Sequence, residues 1–221
     1  MREVTPIERP RTLMELAYGE IKQLLTTGHL EFEKIYSANQ FADMLKVSRT
    51  PVREALLQLT AEGFLVSVQG RGFKIRDFSE KEIKDFFETR KMIETYVIEH
   101  LVGFLTEGDF QTLNESCQRM GTNIDSGNTN AFLEADKNFH MSLVDRYNNI
   151  HLTSIMGDIR DLISIFGQRA LSHAGRTQEV VDEHRRILQG LRRKDGQEAV
   201  RAMVHHLETT EKYLIENLKF K

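Results

Sequence analysis

The chain has 221 residues, 40% of them hydrophobic and 29% charged, with a formal net charge of −3. That length suits one large domain or two small ones, and that balance suits ordinary globular cores beneath a solvated surface. No run approaches roughly 18 apolar residues, residues 1–12 lack the apolar centre of a secretory signal, and the lone Cys117 excludes an intrachain disulfide, so a cytoplasmic protein without a membrane partner is expected.

From Leu13 a helical period begins, with Leu13, Leu16, Ala17, Ile21, Leu24 and Leu25 on one face and Gly28 able to close the helix in a left-handed conformation. A short second helix opens at Ser37, capped by its hydroxyl while Gln40 reaches back, and buries Phe41, Ala42 and Leu45. After a tight turn at residues 46–48, a third helix is predicted with Thr50 as its cap and Pro51 at its first position, where a missing N–H costs nothing. Its inner face is Val52, Ala55, Leu56 and Leu59, and Gly63 ends it. Short β-like runs at 64–68 and 73–76 flank Gln69-Gly70-Arg71-Gly72, a hairpin turn. Three helices and a small hairpin predict a winged helix-turn-helix over residues 1–77.

Ser79 with Glu82 forms another capping box, and from there the pattern is helical only. Helices are predicted near 80–104, 109–126, 129–147, 150–173, 177–194 and 196–218. The fourth is the most apolar, through Leu152, Ile155, Met156, Ile159, Leu162, Ile163 and Phe166, which places it near the centre of a bundle. The fold class is therefore mainly α: an N-terminal winged helix-turn-helix followed, over residues 78–221, by an all-α antiparallel bundle whose interior can host a metal or cofactor.

Charge is unevenly placed. Between Lys46 and Arg76 lie six basic and two acidic residues, a local excess inside an acidic protein. Arg49 and Arg53 are four apart and emerge opposite Val52 and Leu56, so one face of the third helix can seat on the core while the other enters a major groove. There an arginine can grip guanine O6 and N7 together. Thr50 and the first-turn amides suit a phosphate oxygen. Arg71, between Gly70 and Gly72, marks a wing tip, with Lys46, Lys74 and Arg76 as phosphate contacts. A single arginine pair is more often a solvated face; the capped turn, basic face and glycine hairpin in order are far more specific.

In the bundle, Asp136 and His140 are at i and i+4, and His184 and His206 lie on consecutive helices where an up-down arrangement can bring them to similar depth. One carboxylate and three imidazoles suit zinc, nickel or another first-row divalent ion. An isolated Asp-x-x-x-His pair is usually a surface ion pair. His205 should point elsewhere, and His29, His100, His151 and His173 have no partners at metal-like spacing.

Val47-Ser48-Arg49-Thr50-Pro51-Val52-Arg53-Glu54-Ala55-Leu56, Leu59, Glu62-Gly63 and Gly70-Arg71-Gly72 closely resemble the winged-helix signature of the GntR regulator family. The resemblance implies that Arg49, Thr50 and Arg53 face double-stranded operator DNA, with Gly70 and Arg71 in the wing. Two departures stand out: Lys46 replaces a usual glycine, and Asn39 falls where the fatty-acid-responsive member has a DNA-contacting arginine. Asp136-x-x-Phe139-His140-x-x-Leu143, Asn149-x-x-Leu152, Glu183-His184-x-x-Ile187, Asp195 and Met203-x-x-His206-Leu207 resemble the FCD effector domain of the FadR branch. That likeness implies metal coordination by Asp136, His140, His184 and His206, and the count of six effector-domain helices fits the VanR-like subgroup. It also implies a homodimer on a palindromic operator. Arg90 and Glu94, at i and i+4, would by pattern alone form a surface ion pair. The Arg90-x-x-Ile93-Glu94 stretch resembles the opening of the FCD domain, which implies that Arg90 faces the cavity of a small organic-acid effector.

The reading is thus a metal-dependent, ligand-responsive regulator, in the sense of a repressor, and not an enzyme. A helical-bundle metalloenzyme using Asp136, His140, His184 and His206 is the main rival; it leaves the winged helix unexplained, and the chain lacks a His-Glu-x-x-His motif. A constitutive architectural DNA binder leaves the polar set of the bundle without purpose.

Overall fold

The computed structural model describes residues 10–218, the side chains of residues 168 and 169 apart. They fall into two compact units, dividing between Asp77 and Phe78.

The first unit holds α1 (Leu13–Thr26), α2 (Ala38–Leu45), α3 (Arg49–Ala61), β1 (Leu65–Val68) and β2 (Gly72–Ile75). Thr12 caps α1 and Ser37 caps α2, each in a reciprocal box with the residue three ahead, Glu15 and Gln40. The core gathers Ile21 and Leu25 from α1, Phe41 from α2, Val52, Leu56 and Leu59 from α3, and Phe73 and Ile75 from the hairpin. Leu13 and Leu16, expected on the inner face of α1, are instead 54% and 46% exposed. The helical stripe is right but continues past the end of the small core.

The start of α3 also differs from expectation. Ser48 is the N-cap, without a side-chain cap bond, and the helix begins at Arg49, not after Thr50. Pro51 is therefore its third residue, still within the first turn, where no intrahelical acceptor needs its N–H. The antiparallel pair β1–β2 runs Leu65 opposite Ile75 to Val68 opposite Gly72. Tyr36 adds a bridge to Phe73 through two backbone hydrogen bonds of 2.8 Å.

The second unit is helical among its described residues: α4 (Glu80–Leu101), α5 (Glu107–Asp125), α6 (Thr129–Tyr147), α7 (Ile150–Ala170), α8 (Arg176–Arg192) and α9 (Gly196–Asn217). Capping boxes at Ser79–Glu82 and Thr106–Asp109 start α4 and α5. Within α7, Met156, Ile159, Ile163 and Phe166 are buried as expected, whereas Ile155 is 46% exposed. Cys117 is buried in α5.

The α8–α9 hairpin closes through Gly190. A Cβ there would lie 2.7 Å from the backbone nitrogen and 2.9 Å from the Cα of Ala199. Backbone cannot swing aside as a side-chain tip can, so Gly190→Ala forces two helices apart that each carry a histidine of the cluster. Its gain in helix propensity, at most about 1 kcal/mol, is outweighed by the overpacking. A net loss of about 2 kcal/mol is expected, read as a lower urea midpoint at unchanged slope. An unchanged midpoint would mean that the helices separate without cost.

Candidate metal centre and nucleic-acid interface

α4, α6, α8 and α9 each send polar side chains into the interior of the bundle. Asp136 and His140 come from α6, one turn apart; His184 comes from α8 and His206 from α9. All four residues are buried, the three histidines almost completely. One donor atom from each lies within 4.8 Å of the others. His184 Nε2 is 3.2 Å from His140 Nε2 and 3.3 Å from Asp136 Oδ1, and His140 Nε2 is 3.8 Å from the same oxygen. Ligands about 2.1 Å from one ion stand about 3.0–3.4 Å apart when adjacent in octahedral or tetrahedral geometry. The His184 distances to His140 and to Asp136 fall in that range, and the His140–Asp136 distance is longer.

The outer nitrogens decide the chemistry. His140 Nδ1 donates to Glu94, His184 Nδ1 donates to the Val180 carbonyl at 2.7 Å, and His206 Nδ1 donates to Glu183 at 2.7 Å. Each acceptor is a carboxylate or carbonyl, so each imidazole proton belongs on Nδ1 and each lone pair on Nε2. Burial, then Arg90 and Arg160, hold His140 well below the usual imidazole range; burial, then His206, lowers His184 to about 4. With the Nδ1 atoms so engaged, the Nε2 atoms of His140 and His184 face each other and Asp136. Such a set of donors could hold a metal ion.

Anionic and cationic groups brace the cluster from outside. Burial by itself would raise the Asp136 carboxyl, but Arg160 and then the histidines hold it well below its ordinary value. Glu183 is likewise brought down to about 2: burial opposes the shift, while His206 and the bidentate Arg176 cause it.

Arg90 and Glu94 are not the surface pair that spacing alone suggests: they are 1% and 2% exposed, and Arg90 Nε donates to Glu94 at 2.8 Å. Glu94 therefore joins Arg90 to His140, and Arg90 opens onto a cavity shared with Asp136, Arg160 and His206. Sequence reasoning passed over Arg160, Arg176 and the orienting role of Glu183. A charged residue within the most apolar helix was the available signal for Arg160. His205, His29, His100, His151 and His173 are all exposed and stand outside the cluster.

The other candidate surface lies in the first unit. Arg49, Thr50 and Arg53 are exposed on α3, opposite its buried Val52, Ala55, Leu56 and Leu59. Lys46 ends α2 in the left-handed region, at φ 54° and ψ 39°, a conformation costing a non-glycine residue about 1–2 kcal/mol. Its side chain is exposed at the turn before α3. Gly70 and Arg71 stand exposed at the hairpin tip. At Gly72, φ is 136° and a Cβ would lie 2.3 Å from the Tyr36 carbonyl oxygen, so only glycine lets the wing bridge to Tyr36. Two expected phosphate contacts are otherwise engaged. Lys74 pairs with Asp77 at 2.8 Å, and Arg76 Nε donates to the Gly63 carbonyl at 2.9 Å.

Known families cover both units. Residues 13–75 match the model of the bacterial regulatory proteins of the gntR family, and residues 85–209 match the FCD domain. The HTH-type transcriptional regulator YdhC of Bacillus subtilis is 25% identical over 203 residues, covering 90% of each chain. The gluconate operon transcriptional repressor of the same organism is 26% identical over 196 residues, or 86% of this chain and 79% of the repressor. Among solved structures, E. coli McbR/YncC superposes with a TM-score of 0.81 at 20% identity, over 94% of this chain and 99% of the other. A putative GntR regulator from Rhodococcus sp. RHA1 gives 0.82 at 17% identity, over 93% and 99%.

Proposed function

Since the chain belongs to the GntR family of bacterial regulatory proteins and joins a helix-turn-helix domain to an FCD domain, it is a DNA-binding transcription regulator, and we propose that a divalent metal and a small organic acid control its hold on an operator. The observation that carries this reading is the convergence of four acceptor atoms, Asp136 Oδ1 and three imidazole nitrogens, beside a buried arginine.

In this reading residues 1–77 read DNA and residues 78–221 sense the effector. Asp136, His140, His184 and His206 would hold one ion, zinc or nickel by the nitrogen-rich donor set; when bound, it supplies a Lewis-acidic seat for a carboxylate oxygen. Glu94, Val180 and Glu183 keep the imidazoles in the ligating tautomer. Arg90 faces the acid, since a guanidinium fork matches a carboxylate and keeps its charge when desolvated. On the DNA side, Arg49 and Arg53 read base edges, Thr50 and Lys46 meet phosphates, and Gly70, Arg71 and Lys74 bring the wing to the backbone. Only residues 76–79 separate β2 from α4, the helix that carries Arg90, so a shift of α4 on ligand binding is transmitted along the chain to the wing.

A homodimer acting in the cytoplasm completes the reading. One recognition helix reads few base pairs, and pairing two supplies the two-fold site. Self-association is supported by exposed apolar side chains of the second unit, among them Met92 at 62%, Phe104 at 73% and Ile150 at 75%. Repression is supported by the named role of the gluconate operon relative. A catalytic role is disfavoured because four protein ligands leave less room for an activated water than three.

Anisotropy of a selected operator duplex, with metal-loaded protein and candidate acids, tests the coupling. Operator affinity is expected to change by about 5- to 150-fold, the usual allosteric range. An acid that binds Arg90→Ala or the metal-free protein as tightly as the loaded wild type would overturn the mechanism.

A further inference from the structure

The imidazoles of the cluster are steadied in different ways. His184 Nδ1 donates to the Val180 carbonyl of its own helix, an acceptor that the backbone already fixes. His206 Nδ1 donates instead to Glu183 Oε2, on a flexible side chain of the neighbouring helix. Whatever holds that carboxylate holds His206.

Arg176, the first residue of α8, reaches it from seven residues away. Its Nη1 donates to Glu183 Oε1 at 2.6 Å and its Nη2 to Oε2 at 2.9 Å. Two parallel bonds fix the plane of a carboxylate, which one bond leaves free to turn. The fork is held in turn from α9. Nη2 also donates to Thr210 Oγ1 at 2.9 Å, one turn beyond His206, and the Tyr213 ring centroid lies 5.1 Å from Cζ. A relay thus runs from Thr210 through Arg176 and Glu183 to His206. Nη1 has a second partner, Glu179 Oε2 at 3.3 Å, whose side chain is half exposed and touches no histidine of the relay.

Stability is a poor account of this arginine. Arg176 is 1% exposed, and its Nε has no hydrogen-bond partner. A buried ion pair adds little over apolar side chains of the same volume, and an unmatched buried N–H adds a cost. What the pair does supply is direction.

We infer that Arg176 is a positioning residue of the metal centre: its fork orients Glu183, and Glu183 holds the His206 ring with Nε2 toward the cluster. This rests on the metal-centre reading above and adds a relay to it, with Thr210 as the outermost member.

The test uses full-length protein, with zinc and cobalt(II) as probes, in competition with a chromophoric chelator. The wild type is first shown to take one ion per chain. Arg176→Lys keeps the charge and loses the fork, so any loss reports geometry. It should weaken both ions at least tenfold and alter the visible absorption of bound cobalt. Glu183→Gln should cost about 10- to 100-fold. The two together should bind no more weakly than Glu183→Gln alone, because Arg176 acts through Glu183. Thr210→Val, the milder variant that carries the test should Arg176→Lys not fold, should cost about fivefold, the loss of one hydrogen bond. Glu179→Gln should leave metal affinity unchanged.

A wild type that takes no ion ends the parent reading and this one with it. Normal loading overturns this inference alone in any of three cases. The folded Arg176 and Thr210 variants may bind both ions as the wild type does, whatever their melting temperature without metal. The losses of Arg176→Lys and Glu183→Gln may add. Glu179→Gln may weaken binding as much as Arg176→Lys.

Discussion

Stripping the metal-loaded protein with a chelator is expected to lower its melting temperature by about 10 °C. A ligand at about a thousand times its dissociation constant stabilises the native state by about 4 kcal/mol, and a domain of this size shifts by roughly 2–4 °C per kcal/mol. The effect should be large because the four candidate ligands come from three helices, α6, α8 and α9, which one ion would tie together. It should be larger still because the metal-free cluster turns acceptor against acceptor, as at the 3.2 Å separation of His140 and His184. A variant carrying both His140→Ala and His184→Ala should gain no thermal stability from added zinc or nickel. Elemental analysis of untagged protein checks the ligand set: full metal content in the double variant would show that the ion is held elsewhere.

Replacing either recognition arginine should cost the operator complex about 1–3 kcal/mol, roughly 5- to 150-fold in affinity, and relax its sequence preference. Arg49 and Arg53 are exposed on one face of α3, whose other face is buried in packing against α1 and α2, so truncation is expected to remove a base contact without disturbing the core. Lys74→Ala should weaken all sequences alike, and by less, because Lys74 must first leave Asp77. Titrating selected palindromic and scrambled duplexes at fixed salt separates the two classes. Wild-type affinity and selectivity in both arginine variants would show that α3 is not the reading helix.

Much of the local structure was legible because its causes are local. The boxes at Ser37–Gln40 and Ser79–Glu82 place helix starts within one turn of chain, and both form. The helix-turn-helix spacing and the hairpin glycines were likewise written in neighbouring residues. Errors arose where local rules compete. At α3, both Ser48 and Thr50 are cap residues by type, and Pro51 fits any position of a first turn; the chain took the earlier start. At Leu13, Leu16 and Ile155, periodicity identified a face correctly, but how far a neighbouring element extends over that face is not encoded in the face itself.

The sequence by itself determined the helix-rich fold, the arginine-bearing outer face of α3 and the residue types able to hold a metal, since caps, i to i+4 spacing and short motifs act over a few residues. Only the tertiary structure decided what those residues do together. Packing of α4 against α6 carries Glu94 to His140, 46 residues away in the chain, and the α8–α9 hairpin brings His206 to Glu183. Those contacts set the tautomers, aim the Nε2 lone pairs inward, and turn Arg90 from an apparent surface pair into the buried wall of a cavity. Arg160 shows the same division: its identity marks it as out of place on an apolar helix, but only the approach of α6 supplies Asp136 for one of its nitrogens and leaves another without a partner. Side chains that meet over such separations are placed by packing, which no short stretch of sequence specifies.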